Sequence, residues 1–436
     1  MGMAMIGVAV VLRLAVVWQA GPGITPGSEA AITDDVAWNL ARGAGFTLDA
    51  APRAQATAAV PPLVPWLTSL LYRAVRHRVF ASVLLQCAIG ALVPLFLAAL
   101  CRSLFGGAVG AWAGWVGAIH PSLVLASGSL SGGTTASATL LLAVWLSTEW
   151  VRAPRAGRAL GTGLAWGLAG LSHPASLMVP GVVAAWAWRP LGLTVGGAGR
   201  RRQLALLFLG LVLAVGPWTI RNALALRAFV PVTTNAGHML WAANRPGAWE
   251  VPVRDSAGRE PRVADDSPTG GAAPGGARGA DLRRSHEAEA DAWAGRRAWV
   301  FMRARIRDWP RVAAIRLGRF WRPSPEGTHG DGLPPSPLRA PLTLWSVVTL
   351  PFALWGVVRC CRGARRWFQA LPLLVIAMFM VVGLAYPGPR ERVPIEPLVA
   401  LLIALGLEDT RRAWRTRARG LALVPRSREP GPPASR

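Results

Sequence analysis

A cation stands at the end of an apolar run, in a position suited to holding a phosphate group. The run extends over residues 204–215 and stops at Pro217-Trp218, and Arg221-Asn222 follows. When a membrane-spanning helix ends in this way, the aromatic residue and the cation lie at the interface with water. The guanidinium of Arg221 is then placed where the phosphate of a lipid-linked substrate would lie.

Three carboxylates near the start of the chain are suited to proton transfer. Glu29, Asp34 and Asp35 lie in a long segment, 21–79, between the first two apolar runs. A carboxylate near a reacting hydroxyl group can act as its general base. The alternative is that these residues are ordinary solvated acids, because exposed carboxylates are common on protein surfaces.

Further arginines accompany apolar runs. Arg13 lies inside the first run, where a charge costs about 2.5–3.5 kcal/mol on insertion scales, so it should face the protein interior or a polar cavity. Arg390 and Arg392 stand in the sequence PRERVPIEP, directly before the last run. For Arg221 and Arg392 the alternative role is to extend the side chain to lipid headgroups.

The composition indicates a multi-span membrane protein. Of 436 residues, 52% are hydrophobic and only 16% are charged, against about a quarter charged in soluble domains. The formal net charge of +25 comes from arginine clusters between apolar runs, so it reports membrane topology rather than nucleic-acid binding. The four cysteines have neither a disulfide framework nor zinc-ligand spacing.

The apolar runs predict an all-α polytopic fold with about ten transmembrane helices. With the N-terminus inside, the short arginine-rich connections face the cytoplasm, and segments 21–79 and 222–340 face outward. The predicted spans are 4–20, 80–101, 106–125, 134–151, 158–172, 175–189, 203–221, 341–358, 367–386 and 394–408. The fifth and sixth form a hairpin around Ser172-His173-Pro174.

Four regions follow from this topology. They are an N-terminal transmembrane module (1–221), an extracytoplasmic segment (222–340), the C-terminal transmembrane helices (341–410) and a basic, partly disordered tail (411–436). Within the second region, 252–284 is predicted to be flexible from its Gly, Pro and Ala content. Residues 285–321 are predicted to form an amphipathic interfacial helix, from the spacing of Trp299, Met302, Ile306 and Trp309.

The order of several motifs resembles that of a known superfamily. PWTIRN is followed by FVPVTTNAG and NRP, the first loop contains AWNLARGAGF and then PPLVPW, and the chain ends its last outward loop with RERVPIEP. This resembles the C-type membrane glycosyltransferases, in the branch of the protein O-mannosyltransferases and the bacterial aminoarabinose transferases of lipid A. The sequence departs from that pattern at Gly133, where a second carboxylate is usual, at Thr33 and Glu391, where tyrosine is usual, and at His173, where arginine is usual.

The resemblance implies an enzyme that moves a sugar from a polyprenyl-phosphate donor to a hydroxyl or phosphate acceptor, with inversion, at the outer face of a bacterial cytoplasmic membrane. Its partners would be the lipid-linked sugar, a glycan, lipid or protein acceptor and the bilayer, without nucleic acid. No metal ligands or cofactor are assigned, and a divalent metal is left open. The expected site comprises Glu29, Asp34 and Asp35 as the base, Arg221, Arg390, Arg392 and Arg13 on the lipid phosphate, and Asn222, Asn235 and His173 near the sugar or acceptor.

Two other functions remain open at this stage. The departures at Gly133, Thr33 and Glu391 would also suit a catalytically weakened relative that acts as a membrane scaffold or lipid-binding partner. A transporter or flippase would usually carry internal repeats with interrupted helices in matching positions, and the sequence shows no such symmetry.

Overall fold

The chain folds into a helical bundle. The structure is a computed structural model that describes residues 2–20, 28–49, 55–249, 287–322, 339–362, 366–385 and 389–422. Within these ranges, β structure is limited to an isolated bridge between Thr47 and Ala56. The helices are α1 (Gly2–Ala20), α2 (Ser28–Ala41), α3 (Leu63–Val75), α4 (Val79–Phe105), α5 (Gly107–Ile119), α6 (Pro121–Ala126), α7 (Gly133–Arg152), α8 (Ala156–Ser172), α9 (Val179–Leu226), α10 (Ala236–Ala243), α11 (Glu287–Ala304), α12 (Trp309–Phe320), α13 (Arg339–Arg362), α14 (Arg366–Gln369), α15 (Leu371–Ala385) and α16 (Glu396–Ala422).

Each predicted span lies in a helical part of the chain, but two spans are divided, 106–125 between α5 and α6 and 367–386 between α14 and α15. Among the described residues, five segments are long and apolar enough to cross a membrane. One of them, Pro174–Leu226, contains two predicted spans, because the backbone of α9 is non-helical at Gly196, with φ of 68°. The count of ten spans stays a prediction, since α5 and α8 are shorter than the roughly 20 residues of a typical span. The five segments are Gly2–Gln19, Val79–Phe105, Pro174–Leu226, Ala340–Arg362 and Trp367–Ala385.

Close backbone contact between helices depends on glycine. In α8, a Cβ atom on Gly163 would collide with the carbonyl oxygen of Leu207, and one on Gly210 of α9 would collide with that of Leu160. Small residues let membrane helices approach to this distance, where van der Waals contact replaces the missing hydrophobic driving force. The glycines therefore fix how α8 packs against the second half of α9.

The hairpin predicted around residues 172–174 is present. Helix α8 ends at Ser172, and a 3₁₀ turn, Pro174–Met178, leads into α9. Pro174 cannot donate a backbone hydrogen bond and therefore favours the break. The hairpin brings His173 to the end of the bundle where the first loop lies.

The segment predicted to be the second outward one, 222–340, differs from its prediction. Residues 285–321 do not form one interfacial helix, because α11 and α12 are separated by a 3₁₀ turn at Ile306–Asp308, with Pro310 at the start of α12. The predicted apolar stripe also divides, since Met302 is buried whereas Trp299 and Ile306 are exposed. The insert predicted at 252–284 and the end of the tail, 423–436, lie outside the described residues.

Helix α16 continues well beyond the predicted span. It runs from Glu396 to Ala422, so the start of the basic tail, expected from residue 411, is helical. Arg411 and Arg412 reach back to Glu408, with Nε–Oε distances of 2.7 Å each. These i,i+3 and i,i+4 ion pairs support the extension of the helix.

Candidate active site

The glycine turn of the first loop is built as its sequence indicates. Gly43 and Gly45 have φ of 85° and 84°, a region in which only glycine lacks steric cost. Asn39 of α2 fixes the turn by donating from Nδ2 to the carbonyl oxygens of Thr47 (2.9 Å) and Asp49 (3.2 Å). The turn returns the chain across the end of the bundle and places Phe46 in the core.

Asp34 is buried and held by two side chains. Its carboxylate accepts a short hydrogen bond from the Tyr72 hydroxyl group, and its other oxygen lies 2.8 Å from Nε2 of His77. Trp38 stacks on the His77 ring with a centroid distance of 4.9 Å. Burial and the bond to Asp34 raise the pKa of Tyr72, so its hydroxyl group stays protonated and can donate. Asp34 thus joins α2 to the α3–α4 connection.

Asp35 has a different environment. Its side chain is exposed, and its pKa is raised, first by partial desolvation and then by the negative charge of Asp34, against an opposing effect of His77. A carboxylate that is accessible and has a raised pKa meets the requirements of a general base better than one with both oxygens engaged. Glu29 belongs to α2, but its side chain lies outside the described residues.

Arg221 ties the end of α9 to the first loop. Its Nη1 donates to the carbonyl oxygen of Thr57 (2.6 Å) and to Oδ1 of Asn222 (3.0 Å), and its Nη2 donates to the carbonyl oxygen of Phe46 (3.0 Å). The guanidinium lies 4.8 Å from the ring centroid of Trp218. Arginine carries five N–H donors, so two remain for a ligand. The immediate role of Arg221 is to position the loop.

The two predicted asparagines differ in their contacts. Asn222 is buried, and its Nδ2 donates to the carbonyl oxygens of Val230 (3.1 Å) and Val232 (3.2 Å). It therefore fixes the turn after α9. Asn235 precedes α10 without a side-chain cap hydrogen bond.

A second group of charged side chains lies on or beside the segment Pro389–Ile395. Nε of Arg392 lies 2.7 Å from Oε1 of Glu396, and Nη1 donates to the carbonyl oxygen of Arg322 (3.0 Å). Glu396 is buried, and its Oε2 lies 3.7 Å from Nε2 of His120. Arg392 is thus partly neutralised by a neighbouring acid. The side chain of Arg390 lies outside the described residues.

His173 contacts the same segment. Its Nε2 lies 3.2 Å from Oε2 of Glu391, and its ring lies near Phe379, with centroids 5.6 Å apart. Among the described residues, the other ring nitrogen, Nδ1, has no hydrogen-bond partner. The pair connects the α8 hairpin to the loop that carries Arg392.

Arg13 faces the protein interior, as expected. Its side chain is fully buried, and Nη1 donates to the carbonyl oxygens of Ala9 (3.0 Å) and Ala118 (3.3 Å). Nε and Nη2 have no hydrogen-bond partner among the described residues. Nε of Arg13, Ser127 and Thr134 all lie close to Gly90 of α4.

The position of the absent second carboxylate is closed by an apolar side chain. A Cβ atom on Gly133 would lie 3.0 Å from Cγ1 of Val393, and the Ser137 hydroxyl group donates to the Val393 carbonyl oxygen (2.8 Å). Across the described ranges, no group of three or more His, Cys, Asp or Glu side chains is placed to hold a metal ion.

Three connecting residues were not anticipated from the sequence. Glu287 accepts hydrogen bonds from Thr57 Oγ1 (2.9 Å), the Ala58 amide (3.0 Å) and the Thr234 hydroxyl group. Asp291 accepts from the His238 amide (2.9 Å). Arg316 donates to the carbonyl oxygens of Leu384 and Ala243, at 2.6 Å each, and desolvation lowers its pKa to about 10.

The predicted residues thus form separate groups at one end of the bundle. Asp34 and Asp35 lie on α2, Arg221 and Asn222 lie at the end of α9, and His173 and Arg392 flank Glu391. Val36 and Trp218 belong to one apolar cluster that also includes Phe46 and Leu171, which connects the first two groups and reaches the α8 hairpin. Within the described residues, Arg221 and Arg392 share no bonding partner.

Comparison with known proteins agrees with this architecture. Residues 59–220 match the family model described as dolichyl-phosphate-mannose-protein mannosyltransferase. The fold is similar to that of the oligosaccharyltransferase AglB from Archaeoglobus fulgidus, solved with an inhibitory peptide and a dolichol-phosphate, with a TM-score of 0.55 and 14% identity. That alignment covers 98% of this chain and 52% of the archaeal one, so the chain spans about half the length of that relative.

A second solved structure is more distant in shape. It is ArnT from Cupriavidus metallidurans bound to undecaprenyl phosphate, with a TM-score of 0.43 and 15% identity, covering 95% of this chain and 80% of that one. No curated protein sequence matches the chain.

The chain is a multi-pass membrane protein. Its residues 59–220 match the dolichyl-phosphate-mannose-protein mannosyltransferase family model, and its fold is similar to that of the archaeal oligosaccharyltransferase.

Proposed function

We propose that the protein transfers a sugar from a polyprenyl-phosphate donor to a hydroxyl or phosphate acceptor on the extracytoplasmic side of a bacterial plasma membrane, with inversion at the anomeric carbon. The family domain over residues 59–220 supports the donor class. The observation that carries the proposal is the shared apolar cluster of Val36 and Trp218. It fixes the helix of Asp34 and Asp35 beside the helix end that carries Arg221.

Asp35 is the residue that we assign as the base. Its carboxylate removes the proton from the acceptor hydroxyl group while the acceptor oxygen forms a bond to the anomeric carbon. The bond between that carbon and the phosphate oxygen breaks, and the polyprenyl phosphate leaves with the electron pair. A phosphate acceptor is already anionic and needs no base. Glu29 remains the alternative base.

Asp34 is assigned a positioning role, because Tyr72 and His77 occupy its two oxygens. Its negative charge also helps to raise the pKa of Asp35. A base is most effective when its pKa lies nearer to the working pH.

The cations stabilise the departing phosphate in this mechanism. Arg221 retains two N–H donors beyond those engaged with the first loop, and Arg392 presents its guanidinium beside Trp321, 5.3 Å from the ring centroid. A charge-assisted hydrogen bond to phosphate is worth about 1.5–3 kcal/mol. Arg390 and the buried Arg13 complete the proposed set, and Asn222, Asn235 and His173 are proposed to lie near the sugar or the acceptor.

Two observations favour a second function. Val393 closes the position at Gly133 where relatives carry an acid, and Glu396 neutralises Arg392. Both features suit a weakened relative that binds a lipid phosphate as a scaffold without transferring sugar.

Sugar transfer in membranes distinguishes the two functions. Membranes that contain the full-length protein are incubated with radiolabelled sugars on polyprenyl-phosphate donors, with the wild type, Asp35→Asn and the matched control Asp308→Asn. Asp308 is another outward carboxylate, paired with Arg305 at 2.7 Å and away from the site. We expect donor-dependent labelling that Asp35→Asn abolishes and Asp308→Asn retains. Donor binding without labelling in the wild type would establish the scaffold instead.

A further inference from the structure

A second polar region lies at the opposite end of the helix bundle. It is a cavity of about 400 Å³, lined in part by the last residues of α4. Helix α4 begins at Val79, next to the His77 that contacts Asp34, and ends 27 residues later at Phe105. At 1.5 Å per residue, the cavity lies roughly 40 Å along the helix from the candidate active site. It is therefore separate from the site of transfer.

Four helices each contribute an arginine to this cavity. They are Arg102 of α4, Arg152 of α7, Arg359 of α13 and Arg412 of α16, and Asp409 is the carboxylate among the lining residues. Guanidinium groups bind phosphate with paired, charge-assisted hydrogen bonds. Convergence from four elements makes this a concave cationic surface rather than a row of exposed side chains.

The arginines outnumber the acids that contact them. Arg359 pairs with Asp409, Nε of Arg412 lies 2.7 Å from Oε1 of Glu408, and Nη1 of Arg152 lies 3.7 Å from Oε1 of Glu149. Arg102 has no acidic partner in the described parts of the chain. The cavity thus holds positive charge in excess, which an anion would neutralise.

Apolar side chains adjoin the cations. Leu104, Phe105, Val109 and Leu405 line the same cavity, so a ligand with an anionic head and an apolar tail would match both parts. Basic pockets between membrane helices bind the headgroups of anionic lipids in this way.

We propose that this arginine cavity binds the phosphate group of an anionic membrane lipid. The lipid would connect the ends of α4, α7 and α13 with the middle of α16 and so stabilise the bundle on the side opposite to the active site. The shared chemistry is a phosphate group, and a free phosphate is the other source that must be distinguished.

Binding to the full-length purified protein tests this proposal. The ligands are dioctanoyl phosphatidylglycerol, dioctanoyl phosphatidylcholine and inorganic phosphate, with Kd measured by native mass spectrometry and by the ligand-dependent shift in Tm. The variant is Arg102→Gln/Arg152→Gln. The matched control is Arg201→Gln/Arg202→Gln, which removes two exposed arginines that do not line the cavity.

We expect phosphatidylglycerol to bind in preference to phosphatidylcholine, and its Kd to rise about fivefold for each cavity arginine removed. The control should bind like the wild type. If the double variant fails to fold, the single Arg102→Gln variant is used, because that guanidinium has no acidic partner to lose among the described residues. Equal binding of both lipids, or equal loss in variant and control, would overturn the proposal. Binding of inorganic phosphate alone would assign the cavity to a free anion and overturn the lipid.

Discussion

The imidazole of His173 and the carboxylate of Glu391 face each other, with Nε2 and Oε2 3.2 Å apart. The sequence departs at both positions from the pattern that it resembles, which has arginine and tyrosine there. The two departures are in contact although they lie in distant parts of the sequence. This contact fixes the loop of Arg392 against the α8 hairpin.

A double-mutant cycle should reveal this coupling. We expect His173→Gln and Glu391→Gln each to destabilise the protein by about 1 kcal/mol, and the double variant to cost less than the sum, because the same contact is lost in all three. Stability is measured by denaturant unfolding in detergent. His238→Gln removes a different histidine–acid contact and serves as the control. Additive effects of His173→Gln and Glu391→Gln would contradict the coupling.

The pH dependence of transfer should report Asp35. Its raised pKa means that the carboxylate becomes protonated at a higher pH than an ordinary aspartate, whose pKa is about 4. A base must be deprotonated, so kcat/KM should fall as the pH drops through this raised pKa. The stability of the folded protein depends on the charge of Asp35 in the opposite direction. The contribution of Asp35 is present at low pH and is lost as pH rises through the folded-state pKa.

The measurement is a pH–rate profile of the wild type and Asp35→Ala. If Asp35→Ala is nearly as active as the wild type and its kcat/KM still falls at low pH, the base is another carboxylate. Glu29→Gln would then be the next variant.

The contacts of Asp34 should matter for rate more than for donor binding. Tyr72→Phe removes the hydroxyl group that binds Asp34, and His77→Gln removes the other partner. We expect each to lower kcat by about tenfold or more, because small displacements of a catalytic group are costly, with KM for the donor little changed. Steady-state kinetics with varied donor concentration measures both. If kcat falls only in proportion to the amount of folded protein, Tyr72 and His77 have a structural role alone.

Arg221→Lys should not preserve function although it retains the charge. Lysine cannot donate to the carbonyl oxygens of Thr57 and Phe46 simultaneously in the geometry of the arginine fork. We expect a lower Tm and at least a tenfold loss of kcat/KM. Arg227→Lys, which changes an arginine one residue beyond α9, is the control. Wild-type Tm and activity in Arg221→Lys would show that charge alone is required.

The glycine contact between α8 and α9 gives a matched pair of variants in one helix. Gly163→Ala would place a methyl group against the Leu207 carbonyl, whereas the same change at Gly161 meets open space. We expect Gly163→Ala to reduce the yield of folded protein or to lower Tm markedly, because overpacking costs about 1–3 kcal/mol or more. Gly161→Ala should resemble the wild type. The comparison is made by size-exclusion chromatography and thermal unfolding.

The local features that follow from chain chemistry were predictable from sequence. Ser172-His173-Pro174 indicated a hairpin, and Arg13 was expected to face inward because a charge in lipid is costly. The long-range contacts were not predictable in this way. Nothing in the surroundings of Glu287 or Asp291 marks them as partners of residues 230 and 53 positions away, since they follow a segment with little pattern.

The residues of the candidate site stay a prediction, and the structure shows contacts of their side chains that the sequence did not indicate. Arg221 was expected to contact phosphate, but it donates to the carbonyl oxygens of Thr57 and Phe46 in the first loop and to Asn222. Asp34 was expected to be a free base, yet it is engaged by Tyr72 and His77. Side-chain partners of this kind depend on tertiary contacts that periodicity and spacing do not encode.

The hydrogen bonds of Glu287 have a consequence for biosynthesis. Residues 57 and 58 leave the ribosome long before residue 287. The first loop therefore lacks its hydrogen bonds to Glu287 while helices α4 to α10 are synthesised and inserted. Only then can the carboxylate join it to Thr234. Contacts separated by so many residues form late in folding. The order of synthesis itself therefore leaves the candidate site incomplete until α11, which begins at Glu287, has been made.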